Sequence, residues 1–273
     1  MSKFISVQDK IVLITGAAGI IGGTLAQAFL EDGAKVALTD IDAENLAKKE
    51  KELATQFDAD RFLITAADIT REEDIENYVS AVIEKWGRAD VLINNAAIDA
   101  KFDTGHSADF NQTRFEHFSV ETLRKSIEVN IIGTVRMTQS VVRRMLQTGG
   151  GSIINLSSTY SLVAPNQALY DFGTGQINYK PIDYVATKSF IPNYTRYLAT
   201  FYAKDGIRCN TVVPHAVFNN HSEDFLQNFA PLSPLGRMSK REELIGPFIL
   251  LASDASSYMT GSTLVADGGW TAW

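Results

Sequence analysis

Cysteine is nearly absent from this chain, because Cys209 is the only one among 273 residues. One cysteine can form neither an internal disulfide nor a cysteine-rich zinc site, and four scattered histidines supply no metal motif. We therefore expect no metal centre, and a reducing compartment such as the cytoplasm. Basic residues are also outnumbered: 25 Lys and Arg stand against 32 Asp and Glu, for a net charge of −7. Such a chain repels polyphosphate, so nucleic acid is not an expected partner.

A hydrophobic run long enough to span a membrane is lacking as well. Residues 11–30 carry no charge, but glycines and polar side chains divide them into a short apolar run, a turn and a helical pattern. We interpret this stretch as strand, loop and helix, not as a signal peptide or a membrane anchor. No Pro/Ser-rich linker, repeat or low-complexity tract divides the chain, so residues 1–273 are expected to form one domain.

What the chain does contain is an alternation of apolar runs, typical of buried parallel strands, with longer helical patterns. After the first run, candidate strands cover residues 34–40, 61–68, 89–96, 151–158, 207–214 and 262–268. Candidate helices cover residues 43–57, 70–86, 119–147, 182–204 and 239–252. The order predicts an α/β fold, a single doubly wound parallel sheet of the Rossmann type with helices on both faces. Pro192 lies inside one candidate helix and predicts a bend there.

A glycine-rich turn follows the first strand, with Gly16, Gly19 and Gly22 around Ile21. Glycines here let the backbone approach a pyrophosphate at a helix N-terminus, although they also serve tight turns and close packing. Asp40 ends the second strand, where a carboxylate can bind an adenosine ribose and would repel a 2′-phosphate. Asp40 therefore favours NAD over NADP. Alternatively, Asp40 only caps the segment that follows, and Asp42 could also be either the ribose ligand or the cap.

A tyrosine and a lysine stand one helical turn apart in the sequence Tyr184-Val-Ala-Thr-Lys188. On a helix they share a face, and a fixed cation can lower the pKa of a phenol by about 1 to 3 units. The pair could then transfer a proton near neutral pH. Tyr and Lys four apart also occur by chance on ordinary surface helices, so the pair alone decides nothing.

The motifs taken in order resemble the short-chain dehydrogenase/reductase family over nearly the whole chain. They are Thr15-Gly16, Asp68-Ile69, Asn94-Asn95-Ala96-Ala97, Asn130, Ser157-Ser158, Tyr184-x-x-x-Lys188 and a tail from Pro234 to Gly269. The resemblance implies that Tyr184 is the acid/base, that Ser158 holds the substrate oxygen and that Lys188 lowers the pKa of Tyr184. Ser157 is the alternative to Ser158, unless its side chain points into the core.

The resemblance also implies the remaining positions. Asn130 would support a water relay towards Lys188. Expected cofactor contacts are Gly16, Gly19, Ile21, Gly22, Asp40, Ile41, Asp68, Ile69, Asn95, Ala96, Tyr184, Lys188, Val217 and Asn219. The alternative for Asn94 and Asn95 is a purely structural role, in which their side chains make the hydrogen bonds of a turn at a strand end.

The chain departs from the family pattern in several places. The glycines are evenly spaced, which resembles the extended sugar-nucleotide branch. His215 stands where the family usually has glycine, and we hold substrate contact and cofactor coverage equally open for it. Asn219 stands where the family usually has threonine.

Two segments are longer than the family pattern, near residues 98–118 and 160–181, and both leave the carboxyl ends of strands, where ligands bind. They carry the polar residues Asp99, Lys101, Asp103, His106, Asp109, Asn166, Gln167, Tyr170, Asp171, Gln176 and Asn178. Such groups suit a hydroxyl-rich substrate, although exposed loops are polar without any ligand. Together with residues 157–165 and the terminal residues 267–273, these segments look similar to bacterial oxidoreductases of flagellin modification and nonulosonic-acid pathways.

The leading hypothesis is an NAD-dependent oxidoreductase that transfers a hydride between nicotinamide and a secondary alcohol or ketone of a sugar-like substrate. The alternatives are a nucleotide-sugar dehydratase or epimerase that uses NAD within its cycle, and a non-catalytic NAD-sensing protein. The family implies a homodimer or homotetramer through the long helices near 119–147 and 182–204, and no membrane partner is expected.

Overall fold

A computed structural model describes residues 5–99, 113–171 and 178–273 of the chain. Its centre is one seven-stranded parallel sheet with the order β3-β2-β1-β4-β5-β6-β7. The strands are β1 (Ile11–Thr15), β2 (Lys35–Asp40), β3 (Phe62–Ala66), β4 (Val91–Asn94), β5 (Gly151–Leu156), β6 (Ile207–Pro214) and β7 (Thr263–Ala266). The strand order reverses between β1 and β4, which opens a crevice at their carboxyl ends.

Helices cover both faces of this sheet. They are α1 (Ile20–Glu31), α2 (Ala43–Ala54), α3 (Glu72–Trp86), α4 (Val120–Ile127), α5 (Thr134–Thr148), α6 (Ile182–Tyr202), α7 (Glu223–Phe229) and α8 (Ile245–Ala252). Side chains alternate along each strand, so Val12 and Ile14 face one layer while Ile11 and Leu13 face the other. The first layer holds α1, α2 and α8, and the second holds α3, α5 and α6. The predicted doubly wound α/β fold is confirmed.

The predicted single helix over 119–147 is wrong in one respect. A π-helical segment, Glu128–Gly133, separates α4 from α5 and contains Asn130. A π turn holds one more residue than an α turn and is frequent at functional sites. Apolar periodicity cannot reveal such a turn, because the hydrophobic pattern continues through it.

Pro192 lies inside α6, which nevertheless continues from Ile182 to Tyr202. A proline has no N–H for the carbonyl four residues earlier, here that of Lys188. That carbonyl has another donor, because the Ser157 hydroxyl at the end of β5 lies 2.8 Å from it. The missing backbone bond is therefore replaced by a side chain from the sheet.

Two negative findings apply to the described residues alone. Within residues 5–99, 113–171 and 178–273, no three His, Cys, Asp or Glu side chains are grouped as metal ligands would be. Over the same ranges, no helix combines the length and the apolar character that crossing a membrane requires.

Candidate active site

The glycine-rich turn between β1 and α1 is packed so closely that two of its residues must be glycine. Gly16 has a φ of +67°, and a Cβ there would lie 2.7 Å from the Ala96 Cα. A Cβ on Gly22 would lie 2.4 Å from the Gly16 carbonyl oxygen. The evenly spaced glycines thus bring the start of α1 against the ends of β1 and β4.

The N-terminus of α1 is open for an anion. Gly19 is its N-cap, supplies no side-chain hydrogen bond, and is followed by no acidic residue in the first turn. The first backbone N–H groups of a helix have no intrahelical acceptor and carry a partial positive charge. A pyrophosphate fits this position, since it can accept from those groups without meeting a carboxylate in that turn.

Asn95 locks the same turn from the neighbouring strand. Its Nδ2 donates to the carbonyl oxygens of Thr15 and Gly16 at 2.9 and 3.0 Å. In return, the backbone N–H groups of Asn95 and Ala96 donate to Thr15 Oγ1 at 3.1 and 3.0 Å. Asn94 is different, because it lies buried within the sheet and donates to Asn155 and Thr138. Turn chemistry at the strand end is thus present at Asn95.

The structure distinguishes the two candidate carboxylates after β2. Asp42 caps α2, accepting from the Asn45 N–H at 3.0 Å. Asp40 accepts from the Ala18 N–H in the glycine turn at 3.0 Å and from the Asp42 N–H at 3.1 Å. A carboxylate offers about four acceptor positions, so Asp40 retains capacity for ribose hydroxyls. Ile41 beside it is 70% exposed and presents an open apolar face.

Asp68 and Ile69 lie after β3. The Asp68 carboxylate accepts from both the N–H and the hydroxyl of Thr70 at 2.8 Å. Ile69 is buried against the π-helical segment, where a Cβ on Gly133 would lie 2.8 Å from the Ile69 Cγ1. Both residues thus fix the loop between β3 and α3 next to the crevice.

Tyr184, Ser158 and Lys188 come together at the carboxyl end of β5. Tyr184 lies in the first turn of α6, and the Lys188 Nζ is 5.8 Å from its ring centroid. Ser158 is a hydrogen-bonding neighbour of the Tyr184 phenol and acts to lower its pKa. The Lys188 ammonium donates to the Leu156 carbonyl at 3.0 Å. Ser157 is not part of this group, since its hydroxyl is buried and donates to the Lys188 carbonyl.

The electrostatics of this group differ from the prediction. Burial raises the pKa of Tyr184 above its usual range, the Asp99 charge raises it further, and the bond with Ser158 opposes them. Burial lowers the pKa of Lys188 to about 8. The predicted lowering of the Tyr184 pKa by Lys188 is therefore wrong, because the effect of burial is larger than the attraction of a cation that is turned towards the Leu156 carbonyl.

Asn130 is held by protein groups. Its Nδ2 donates to the Ile98 carbonyl and to Thr187 Oγ1, both at 3.0 Å, and its Oδ1 accepts from the Ile98 N–H at 2.8 Å. The side chain therefore joins the π-helical segment to the loop after β4 and to α6. The water relay from Asn130 towards Lys188 stays a prediction.

The two long segments meet above Tyr184. The Lys180 ammonium contacts both carboxylate oxygens of Asp99, at 2.6 and 2.7 Å, and lies 4.0 Å from the Tyr184 ring centroid. The Tyr179 N–H donates to Thr113 Oγ1 at 3.2 Å. The sequence pattern did not single out Lys180, because this residue lies before α6 and belongs to no periodic pattern. The candidates Lys101, Asp103, His106, Asp109 and Gln176 lie outside the described residues.

His215 lies in an aromatic cluster beside this group. Its Nδ1 is 2.5 Å from Thr159 Oγ1, and its ring centroid is 4.1 Å from that of Trp270. The Tyr160 ring is nearly perpendicular to the rings of both His215 and Tyr184, with centroids 5.9 and 6.4 Å away. Burial lowers the pKa of His215 to about 4. The imidazole is therefore neutral at physiological pH and packs as an aromatic ring.

Val217 and Asn219 follow β6 on the other side of the crevice. Val217 pairs with Ser239 in a parallel bridge, and the Asn219 N–H donates to His221. Asn219 lines a cavity of about 780 Å³ that extends from Ile20, at the start of α1, to α7. The segment after β6 therefore faces the glycine turn across an open space.

Comparisons with known proteins agree with this geometry. Residues 16–271 match a family described as enoyl-(acyl carrier protein) reductase. The chain is 30% identical over 274 residues to an NAD-dependent glycerol dehydrogenase from Listeria innocua, which covers 98% of this chain and 96% of that protein. A solved short-chain dehydrogenase from Leptospira borgpetersenii, with bound NAD+, superposes with a TM-score of 0.81 at 33% identity, covering 97% and 93% of the two chains.

The chain belongs to the short-chain dehydrogenase/reductase family. As a member it is an oxidoreductase that uses a nicotinamide cofactor. The expected likeness to flagellin-modification enzymes is also confirmed. The chain is 27% identical over 263 residues to post-translational flagellin modification protein A from Campylobacter coli, covering 96% of this chain and 98% of that protein.

Proposed function

We propose that the protein transfers a hydride between NAD and a secondary alcohol or ketone of a sugar-like substrate. The observation that carries this proposal is the grouping of Tyr184, Ser158 and Lys188 at the end of β5, next to the glycine turn. A proton-transfer group beside a dinucleotide cradle is the arrangement that alcohol and carbonyl redox chemistry requires.

Each residue of the group has a separate task. When bound, the nicotinamide accepts or supplies the hydride. Tyr184 takes the proton from the substrate hydroxyl in oxidation and returns it to the carbonyl oxygen in reduction. Ser158 holds that oxygen by a hydrogen bond and fixes its distance to the phenol. Lys188 binds the nicotinamide ribose, and Asn130 positions α6 through Thr187.

The dinucleotide would extend along the crevice above β1. The pyrophosphate would lie on the N–H groups at the start of α1, where Gly16, Gly19, Ile21 and Gly22 meet. Asp68 and Ile69 would border the adenine, Asn95 and Ala96 the floor of the trough, and Val217 and Asn219 the carboxamide. Tyr184 and Lys188 would complete the set at the nicotinamide end.

Asp40 and its surroundings favour NAD over NADP. A 2′-phosphate would meet the carboxylates of Asp40 and Asp42, and Ile41 beside them is uncharged. The first basic side chain after them is Lys48, which is paired with Glu44. A ribose with free hydroxyls can instead donate to Asp40.

The sugar-like substrate is proposed from the groups near Tyr184. Asp99, Lys180 and the hydroxyls of Tyr160 and Tyr170 make the surroundings polar. Such groups match hydroxyls better than an acyl chain. The related glycerol dehydrogenase is also named for a polyol substrate.

The test is a comparison of Tyr184→Phe with wild type on a sugar and polyol panel. Loss of the phenol proton should reduce turnover by about a hundredfold or more, while NADH binding, followed by fluorescence, stays within twofold. Tyr197→Phe is the matched control, because this tyrosine lies on the same helix and is 60% exposed. Full activity of Tyr184→Phe would refute the assignment.

The same assay separates the alternatives. Stoichiometric release of NADH with each oxidised substrate contradicts a dehydratase or epimerase that restores NAD within its cycle. Tight NADH binding with no turnover on the panel would favour a nucleotide-sensing protein.

We also propose that the chain acts as one dinucleotide-binding and catalytic domain, with insertions near 98–118 and 160–181, and that it assembles in the cytoplasm as a homodimer or homotetramer. Support for assembly comes from apolar side chains exposed on α4 and α6: Val120, Ile127, Tyr197 and Phe201. Cross-linking with mass measurement tests the assembly. The single cysteine, Cys209, is buried and unbridged, which fits a reducing compartment.

A further inference from the structure

Asp99 and Lys180 form an ion pair that joins the two long segments directly over the Tyr184 ring. Both carboxylate oxygens contact the ammonium, at 2.6 and 2.7 Å, and the ammonium lies 4.0 Å from the ring centroid. The pair therefore borders the phenol of Tyr184.

The two partners differ sharply in exposure. The Lys180 side chain is 7% exposed, whereas that of Asp99 is 42% exposed. Two contacts with the carboxylate and one with an aromatic face occupy the ammonium. The carboxylate has acceptor capacity beyond its contacts with the ammonium, because each oxygen can accept more than one hydrogen bond. The pair thus presents an acceptor, and not a cation, to an incoming molecule.

The Asp99 charge acts on the hydroxyls around this space. Burial raises the pKa values of Tyr160, Tyr170 and Tyr184, and the Asp99 charge adds to the rise in each, so all three phenols lie within its field. The Tyr160 and Tyr170 hydroxyls are themselves paired at 2.9 Å. The Lys180 ammonium lies 4.0 Å from the Tyr184 ring centroid and 2.6 Å from Asp99 Oδ1, so a substrate oxygen held at the phenol would have Asp99 close to its neighbouring carbon atoms.

We propose that Asp99, held in place by Lys180, accepts a hydrogen bond from a hydroxyl on the carbon next to the reacting carbinol. It thereby selects uncharged vicinal diols and polyols over isolated alcohols and over α-hydroxy acids. An isolated alcohol leaves the carboxylate without this donor. An α-hydroxy acid places a second carboxylate against Asp99. This inference rests on the proposed function, because it assigns the specificity of the same site.

Three compounds that differ at one carbon test the proposal. In 2-propanol, 1,2-propanediol and lactate, the secondary carbinol carries a methyl group and a third carbon that is methyl, hydroxymethyl or carboxylate. The measurement is kcat/KM for each compound with NAD. For wild type we expect 1,2-propanediol to exceed 2-propanol by at least about tenfold and lactate to be the poorest.

Asp99→Asn keeps the shape of the side chain and removes its charge. The preference for 1,2-propanediol over 2-propanol should fall by about 10- to 100-fold, as expected for one hydrogen bond to a charged acceptor. Lactate should improve relative to the diol, because the Lys180 charge is no longer neutralised. The double variant Asp99→Ala/Lys180→Met should lose the diol preference without gaining lactate, since neither charge remains.

Glu116→Gln is the matched control. Glu116 is an exposed carboxylate of the same insertion, paired with Arg114, and its removal should leave all three ratios unchanged. Thermal unfolding shows which variants are folded. If Asp99→Asn does not fold, the double variant Asp99→Ala/Lys180→Met tests the diol preference in its place.

Ratios in folded Asp99→Asn within twofold of wild type would overturn the inference. So would equal losses on all three compounds, which indicate a purely structural pair, or a wild type without activity on the diol. These results leave the proposed function standing if sugars are still oxidised in a Tyr184-dependent way. The proposed function fails separately if no secondary alcohol of the sugar panel reduces NAD.

Discussion

Pro192 and Ser157 form a pair whose energetic coupling can be measured. Pro192 deprives the Lys188 carbonyl of its helical donor, and the buried Ser157 hydroxyl replaces that donor at 2.8 Å. Ser157→Ala leaves this carbonyl without a partner next to the sheet. An unsatisfied buried polar group costs about 1–3 kcal/mol, so we expect the free energy of unfolding to fall by about 2 kcal/mol.

Pro192→Ala changes that expectation. Alanine supplies an N–H four residues after Lys188, so α6 can complete its own hydrogen bond to the carbonyl. Ser157→Ala in this background then removes a bond that has a substitute, and it should cost less than about 1 kcal/mol. The double-mutant cycle thus predicts a coupling energy of about 1–2 kcal/mol, with the second substitution partly rescuing the first.

Urea unfolding at constant protein concentration, followed by circular dichroism, measures all four corners of the cycle. Ser161→Ala is the matched control, because its hydroxyl donates to the Ser158 carbonyl at 2.6 Å and has no link to Lys188. Its cycle with Pro192→Ala should be additive. Additivity within about 0.5 kcal/mol in the Ser157 cycle as well would refute the replacement of one donor by the other.

Two further predictions concern the cofactor and acid stability. Asp40→Ala should weaken NADH binding by about tenfold and reduce the difference between the affinities for NADH and NADPH, both measured by fluorescence titration. A wild-type protein that binds NADPH more tightly than NADH would contradict this role of Asp40. The pKa of His215, about 4 in the folded chain, lies below its ordinary value of 6.5. The unfolded chain therefore binds the proton first, and stability that is complete above pH 6.5 is lost as pH falls towards 4. In His215→Gln the free energy of unfolding should fall less steeply between pH 6.5 and 4 than in wild type, whereas in His117→Gln it should fall as in wild type. Equal slopes in wild type and His215→Gln would refute the role of His215.

The fold could be predicted because its signal is local and repeated. Parallel strands buried on both faces appear as apolar runs, and the turn after β1 declares itself through Gly16 and Gly22. The structure adds why those glycines are needed, since their missing Cβ atoms make room for Ala96 and for the Gly16 carbonyl. The alternation predicted a doubly wound parallel sheet with helices on both faces, whereas the strand order and the helices of each layer come from the structure.

The partners of polar groups could not be predicted in the same way. Lys180 and Asp99 are separated by 81 positions, and Ser157 and Lys188 by 31. No periodicity joins residues so far apart, so the sequence showed Pro192 as a bend and left Lys180 unremarked. The π turn around Asn130 could not be predicted for a related reason. The Asn130 side chain hydrogen-bonds Ile98 and Thr187, which belong to two other segments of the chain.

The shifted pKa values of Tyr184 and Lys188 affect the two directions of the reaction differently. Burial makes the Tyr184 phenol hold its proton more firmly than a free tyrosine does, and Asp99 strengthens that hold. A phenol of this kind is a proton donor, which suits carbonyl reduction. Alcohol oxidation needs the phenolate, so oxidation should require a higher pH than reduction does. The pKa of Lys188 is lowered to about 8 by burial, so its ammonium stays charged below pH 8 and favours the phenolate there. The ratio of oxidation rate to reduction rate should therefore rise with pH, and a ratio that does not change with pH would contradict the direction of the Tyr184 pKa.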